Sequence, residues 1–368
     1  MMNANGKAPL RFGLFYDFRN PAAWRRPYTD IYREIFEQIV WADEHGFDNV
    51  WLSEHHLVED GYAPSSLAIA AAIAAQTKTI RIGSAIIILP LHNPIRVAED
   101  AATVDVISNG RFELGVAPGY KVEEYASFGI PKSERGGRTN EGLEIIRRLL
   151  DGETLTYKGK YYAVNQAKIA PQSAQQPRLP IWAGGFTPAS TRRAAKHADG
   201  FLAVGGPSKE LFESYVTALE DLGKPTRDLR LGGGYFWLIP AADPEKSWRE
   251  AAPHVLYQLN LYAEWFAKSG MPLLPHIRDV THLRELGILN IVDVETCIAM
   301  IRGLTAVAPL THYYSFTLPP GLPASWIQPH LELFAARVIP AFREHSLVPA
   351  AHTEANAPPI QANGDSVL

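Results

Sequence analysis

The chain has 368 residues, 46% hydrophobic and 20% charged, with a formal net charge of −4. That is ordinary globular composition, long enough for one large α/β domain, and without a block of Lys and Arg it points to neither nucleic acid nor an anionic membrane as a partner. The only cysteine is Cys297, so an internal disulfide is impossible and thiolate metal sites are excluded.

Residues 1–11 contain no apolar signal core, and the longest apolar runs, Leu67–Ala75 and Ala85–Leu91, fall far short of the ~20 residues of a membrane helix. A cytoplasmic protein is expected. Along the chain, strand and helix alternate. Arg11–Phe18 reads as a strand, followed by a helix with apolar spacing at Ile31, Ile35, Ile39 and Ala42 that Gly46 closes. Asn49–Glu54 is the second strand and Pro64–Gln76 an alanine-rich helix. Ile80–Leu89 is the third strand, and Pro94 opens the next helix where a first-turn proline belongs. Phe112–Ala117 is the fourth strand, and Arg138–Leu150 a helix with Leu143, Ile146, Leu149 and Leu150 on one face. Leu179–Ala183 and Gly200–Val204 continue the rhythm, with helices at Ala189–His197 and Lys209–Leu222. Leu231–Ile239 and His312–Thr317 make the seventh and eighth strands. Eight strands alternating with helices predict a closed parallel (β/α)8 barrel, the TIM barrel, over an open sheet.

Three stretches interrupt it: 119–137, 152–179 and 241–290, so that insertions follow the fourth and seventh strands of a single domain spanning 1–348. The second contains a hairpin, Thr154–Tyr157 against Tyr161–Val164. The third is helical and aromatic, with Trp248, Tyr257, Tyr262, Trp265 and Phe266. Long insertions after barrel strands commonly form substrate walls or lids. Residues 349–368 have little apolar content beyond Ala and Pro and are expected to be disordered.

Chemistry concentrates at the end of the second strand, where Trp51-Leu52-Ser53 runs into Glu54-His55-His56. Ionisable groups at the carboxyl end of a buried barrel strand stand where such barrels keep their active sites. Because side chains alternate along a strand, His55 points away from Glu54 and His56, so the trio makes no compact chelate from one strand. No helical His-x-x-x-His pair supplements it, and metal is disfavoured. An imidazole beside a carboxylate suits proton transfer near pH 7.

The second-strand motif, Gly83–Pro90 with its sequel Pro94–Asp100, Gly110–Ala117 and the later Trp182-Ala183-Gly184-Gly185 turn resemble, in order and spacing, the bacterial luciferase-like flavin-dependent monooxygenases, in register from about residue 11 to 345. The resemblance implies reduced FMN delivered by a separate NAD(P)H:flavin reductase, reaction with O2, oxidation of a small apolar organic substrate, and a homodimer. It implies His55 as the catalytic residue, with Glu54 and His56 beside it, and a non-proline cis peptide between Ala85 and Ile86 against the flavin ring. Ala117 matches a position beside the flavin. Phosphate is expected at Gly184-Gly185, a glycine turn leading into a helix that bears Ser190 and Thr191, with Arg138 at a position that pairs with phosphate in the family. Luciferase's phosphate-holding arginine after the fourth strand is replaced here by Pro118, which is expected to weaken phosphate capture or to shift it onto Arg138, Lys121 or backbone amides. No dinucleotide-binding motif is visible: Gly232-Gly233-Gly234 precedes a strand, and Gly115-x-x-x-Gly119 lacks the Rossmann spacing. Two alternatives stand beside this reading, a deazaflavin-dependent oxidoreductase transferring hydride without oxygen and a non-catalytic flavin-binding partner subunit.

Overall fold

A computed structural model describes residues 9–343, apart from positions 204, 207 and 228. The expected tail at 349–368 lies outside the described residues. Eight parallel strands form the barrel: β1 (Arg11–Tyr16), β2 (Asn49–Leu52), β3 (Arg81–Ser84), β4 (Phe112–Ala117), β5 (Ile181–Gly185), β6 (Gly200–Ala203), β7 (Leu231–Gly233) and β8 (His312–Phe316). Each pairs with its successor, and β8 returns to β1 with Arg11 opposite His312, which closes the ring. The helices lie outside it. Tyr28–Glu44 buries Ile31, Ile35, Ile39 and Ala42, the stripe expected from a 3.6-residue period. Among the described residues no helix is long and apolar enough to cross a membrane.

Two strands differ from the sequence reading. The third is interrupted: it stops at Ser84 and resumes at Ile87–Ile88, still paired to β4, with a cis Ala85–Ile86 peptide between the two pieces. The seventh is shorter than Leu231–Ile239. Its three glycines end the barrel segment at Gly233, and Trp237–Pro240 leaves to pair in parallel with Leu289–Val292. The Trp237 indole donates to Gln258 at 3.0 Å, so the chain joins the insertion helix Pro244–Lys268 here and no longer the barrel. The hairpin also shifts, to Leu155–Lys158 against Ala163–Ala167.

Strand alternation turns Trp51 and Trp182 into the barrel, where both are fully buried and meet edge to face at 5.7 Å and 89°. Two indoles fill this level only because the positions around them lack side chains. A Cβ on Gly83 would fall 2.3 Å from the Trp51 ring, and one on Gly200 would fall 2.4 Å from that of Trp182. Toward the amino ends of the strands the buried Glu113 carboxylate accepts from the Trp182 indole at 2.7 Å and from Arg81. Open space remains at the carboxyl ends, two residues further along each strand.

Gly83→Ala is therefore expected to destabilise the protein by about 1–3 kcal/mol, the usual cost of overpacking a filled core. Gly303 lies inside the exposed face of helix Val294–Val307 with nothing within 4 Å of its added Cβ, so Gly303→Ala is expected to be neutral or to stabilise by up to ~1 kcal/mol. Thermal unfolding of both variants beside the parent protein checks this; equal midpoints for the two contradict it.

Candidate active site

The carboxyl ends of the strands open into a cavity of about 490 Å³. Its floor is the layer above the two indoles: Ser53, Ala85, Ala117 and Gly184 line it, each two residues beyond a member of the Trp51 level. Small side chains here leave room above the indoles. Of the site residues read from the sequence, Glu54, His55, Ala85, Ile86, Ala117, Gly184, Gly185 and Ser190 line the cavity, whereas His56, Arg138 and Thr191 do not.

The Glu54-His55-His56 segment splits as its alternation requires. Glu54 is buried, and its Oε1 accepts from His92 Nε2 at 2.7 Å, His56 Nε2 at 3.0 Å and the Ile88 amide at 3.2 Å. Burial alone would raise this carboxyl, but the hydrogen bonds and charge of His56 and His92 outweigh it and hold it at about 2. Burial likewise lowers His92, and the Glu54 bond and charge more than reverse that, leaving its pKa raised. The three consecutive residues do not converge on one point, but the sequence did not show a further group arriving from another segment. Glu54 and His56 do share a face, and His92, from the turn after the third strand, completes a trio whose ligand atoms lie within 4.8 Å of one another. The N···O separations are those of hydrogen bonds, shorter than the ~3.3 Å edge of a tetrahedron built on Zn–N and Zn–O bonds of about 2.0–2.1 Å. The trio ties the end of β2 to the interrupted third strand.

His55 points the other way. Its Nδ1 lies 2.8 Å from Glu124 Oε1, which also accepts the His56 amide at 2.8 Å. Glu124 comes from the short helix Val122–Ser127 in the connection after β4 and is fully buried. With Nδ1–H donated to the carboxylate, Nε2 makes no hydrogen bond among the described residues and remains available to a ligand. Tyr62 meets the imidazole edge to face at 4.8 Å, and Trp265 of the insertion lies 5.0 Å away, so the ring is fixed on three sides.

Another part of the cavity wall is cationic. Arg138 is turned away from it, paired with Glu134 at 2.8 Å and lying over Tyr161. Arg135 and Arg193 line the wall in its place. Arg193 Nε donates to Asn140 at 2.8 Å and Arg135 Nη1 to the Lys132 carbonyl at 3.2 Å, and neither has a carboxylate partner among the described residues. Burial and then the neighbouring Arg135 charge press the Arg193 pKa down, the mark of a cation lacking a counter-ion. Next to them starts helix Pro188–His197, capped by Thr187, with Ser190 completing a capping box; both residues line the cavity. Gly185 has φ +156°, and a Cβ there would meet Ser190 at 2.4 Å, so only glycine lets the strand turn this tightly into the helix. Thr191 is buried behind, bonded to the Pro188 carbonyl at 2.9 Å and Ser214 at 2.8 Å. Lys121 is also committed elsewhere, its Nζ donating to the His56 carbonyl at 2.8 Å.

Glu124, His92, Arg135 and Arg193 were not singled out by the sequence. Glu124 and Arg135 sit in the charged connection 119–137, whose length marked it, but nothing in the chain order says which charge turns inward.

With this geometry established, comparison with known proteins places the chain. The sequence profile of the luciferase-like monooxygenases matches residues 10–281. The chain is 36% identical over 187 residues to the F420-dependent glucose-6-phosphate dehydrogenase of Amycolatopsis mediterranei, covering 49% of this chain and 56% of that protein. It is 29% identical over 267 residues to the oxygenase component of the flavin-dependent trigonelline monooxygenase of Acinetobacter baylyi, covering 70% of this chain and 72% of that protein. The chain spans about half the length of the first curated relatives it matches. In fold it resembles the monooxygenase RslO1 of Streptomyces bottropensis, with a TM-score of 0.78 at 22% identity over 90% of this chain and 100% of that one. Its relatives thus include both flavin-dependent monooxygenases and F420-dependent dehydrogenases, and the chain belongs to the luciferase-like monooxygenase family.

Proposed function

We propose that this chain is the oxygenase of a two-component system, taking reduced FMN from a separate reductase and using O2 to oxidise a small apolar substrate. The observation that carries the reading is one cavity lined by two dissimilar groups: an imidazole fixed by a buried carboxylate, and two arginines without a carboxylate partner among the described residues beside a helix amino terminus. A ligand with a flat ring and a phosphate, as FMN has, fits that layout. Arg135, Arg193 and the Thr187–Ser190 turn would hold the phosphate, because guanidiniums without a carboxylate partner and the positive end of a helix dipole both favour an anion. Ala85, Ile86, Ala117 and Gly184 would seat the ring. Bound reduced FMN would supply the electrons that activate oxygen. His55 would hold or deliver a proton at Nε2, with Glu124 fixing the Nδ1–H tautomer. The aromatic insertion would keep water away.

The second reading is an F420-dependent hydride transfer, which the 36% identity to an F420-dependent dehydrogenase favours. The monooxygenase component matches 70% of the chain against 49% for that dehydrogenase, which supports the FMN reading. Anaerobic titration decides between them: reduced FMN is expected to bind and reduced F420 not to, and the reverse preference overturns the assignment.

Arg193→Ala is expected to weaken FMN by roughly ten- to a hundredfold and riboflavin hardly at all, since one charge-assisted contact is worth about 1.5–3 kcal/mol and only FMN carries the phosphate. Arg138→Ala, whose guanidinium is paired with Glu134, should leave both affinities nearly unchanged. Equal losses of FMN and riboflavin in Arg193→Ala would assign that arginine to folding.

His55→Ala should bind reduced FMN normally and yet form product about 10²–10⁴-fold more slowly, the usual contribution of a positioned proton-transfer group, with the oxygen consumed emerging as hydrogen peroxide. Glu124→Gln should fall between this variant and the parent protein, because the ring is kept and only its orienting charge is lost. Product yield per reduced FMN is the readout; an unchanged yield in His55→Ala rules out the role.

A further inference from the structure

Just beyond β1 the chain carries charge into the interior. Asp17, Arg19 and Asp60, the last from the loop after β2, are all buried, and the Arg19 side chain is wholly enclosed. Arg19 Nε donates to Asp60 at 2.6 Å. The Tyr257 hydroxyl contacts the same guanidinium, yet neither Nη1 nor Nη2 makes a hydrogen bond of ordinary geometry among the described residues. Arg26 is in a similar position: Nη1 and Nη2 grip Glu34 at 2.9 and 3.0 Å, and its buried Nε has no partner among the described residues. Buried donors are seldom left in this state, and an internal water is the usual completion.

The three side chains that would bind it share one small cavity. Asp17, Arg19 and Arg26 line a space of about 10 Å³, closed by Ile31, Ile35 and the turn at 318–322. On this measure ~10–15 Å³ is the least that admits a water, so the space holds one and no more. The chemistry of the wall selects among possible occupants. Two guanidiniums repel a cation. The Asp17 carboxyl opposes an anion, and a halide is larger than water. A water accepts from a guanidinium and donates to a carboxylate at once. Burial pushes the Asp17 carboxyl up to about 7 in spite of the Arg19 charge, which marks it as short of hydrogen bonds.

This cluster is where three segments meet. Gln258 of the insertion helix donates to Asp17 at 3.1 Å, and Tyr257 donates to Asp60 at 3.0 Å. The Asp60 carbonyl accepts the Asn20 amide at 2.8 Å. Arg19 lies 4.8 Å over the Tyr62 ring, and the Tyr62 carbonyl accepts the His55 amide at 3.3 Å. The charges therefore stand directly behind the wall that fixes His55.

We infer that Asp17, Arg19 and Arg26 bind one internal water, which accepts from the guanidiniums and donates to the carboxylate. It completes the joint that holds the insertion helix and the Tyr62 loop to the end of β1. The inference is independent of which cofactor the large cavity takes.

The test is a high-resolution crystal structure of the full chain, grown with sodium bromide present. One peak is expected in the cavity, about 2.7–3.2 Å from an Arg19 Nη atom and from Asp17, without bromide's anomalous signal. A dry cavity or bromide within it overturns the inference. Arg19→Lys keeps a charge that reaches Asp60 but lacks the guanidinium fork. In that variant the peak should vanish, and oxygen-17 relaxation dispersion should count one long-lived water fewer than in the parent protein. Amides of helix Pro244–Lys268 should exchange about tenfold faster, as for the loss of one net hydrogen bond, while those of β4 stay unchanged. An unchanged water count, or an unchanged exchange rate in the helix, overturns it. If Arg19→Lys does not fold, the parent crystals decide alone.

Discussion

The two indoles inside the barrel set the terms for everything above them. Eight strands enclose an interior that side chains alone can fill, and this sequence fills it at one level with Trp51 and Trp182, the positions facing them being glycine. The plug makes the lower barrel solid and confines open volume to the carboxyl ends. Two residues further along each strand the inward positions become Ser53, Ala85, Ala117 and Gly184, so a layer of small side chains lies over the layer of indoles. A floor of small side chains offers a bound ring few polar partners, the Ser53 hydroxyl among them. What fixes such a ring must come from the loops.

The loops divide that task by charge. Glu54 draws four groups to one buried carboxylate, the rings of His56 and His92, the Ile88 amide and the Ser66 hydroxyl at 3.3 Å, and so locks the end of β2 to the interrupted third strand. His55 is thereby released to face the cavity, and Glu124 reaches it from the next connection. Elsewhere on the cavity wall Arg135 and Arg193 have no carboxylate partner among the described residues, and burial with the Arg135 charge lowers the Arg193 pKa. A fixed imidazole and two arginines without carboxylate partners, gathered in one cavity, are what the proposed flavin reading rests on.

The fold was legible because it rests on repetition. Apolar strands alternating with amphipathic helices identify a barrel, and the first helix stripe was readable residue by residue. The failures came where tertiary contacts override local pattern. Leu231–Ile239 reads as one apolar strand, but nothing in its periodicity shows that Trp237 will bond to Gln258 of an insertion and leave the ring. The site was legible where the chain itself carries it. The Glu54-His55-His56 motif and the Gly184-Gly185 turn are contiguous, and strand alternation alone separates His55 from its neighbours. Partners that meet through space were not legible. Arg138 stands three residues from Arg135 in the same helix, and which of them faces the cavity depends on Glu134 capturing the former. His92 and Glu124 likewise become site residues only when distant segments converge on the end of β2.

The claim on which the account stands is that one flavin reaches both the His55 imidazole and the two arginines. Crystals soaked anaerobically with reduced FMN test it most directly. The account predicts density for the ring over Ala85 and Ile86, within reach of His55 Nε2, and for the phosphate between Arg135 and Arg193. A phosphate bound at Arg138, or a ring lying away from the Ala85–Ile86 floor, would contradict it.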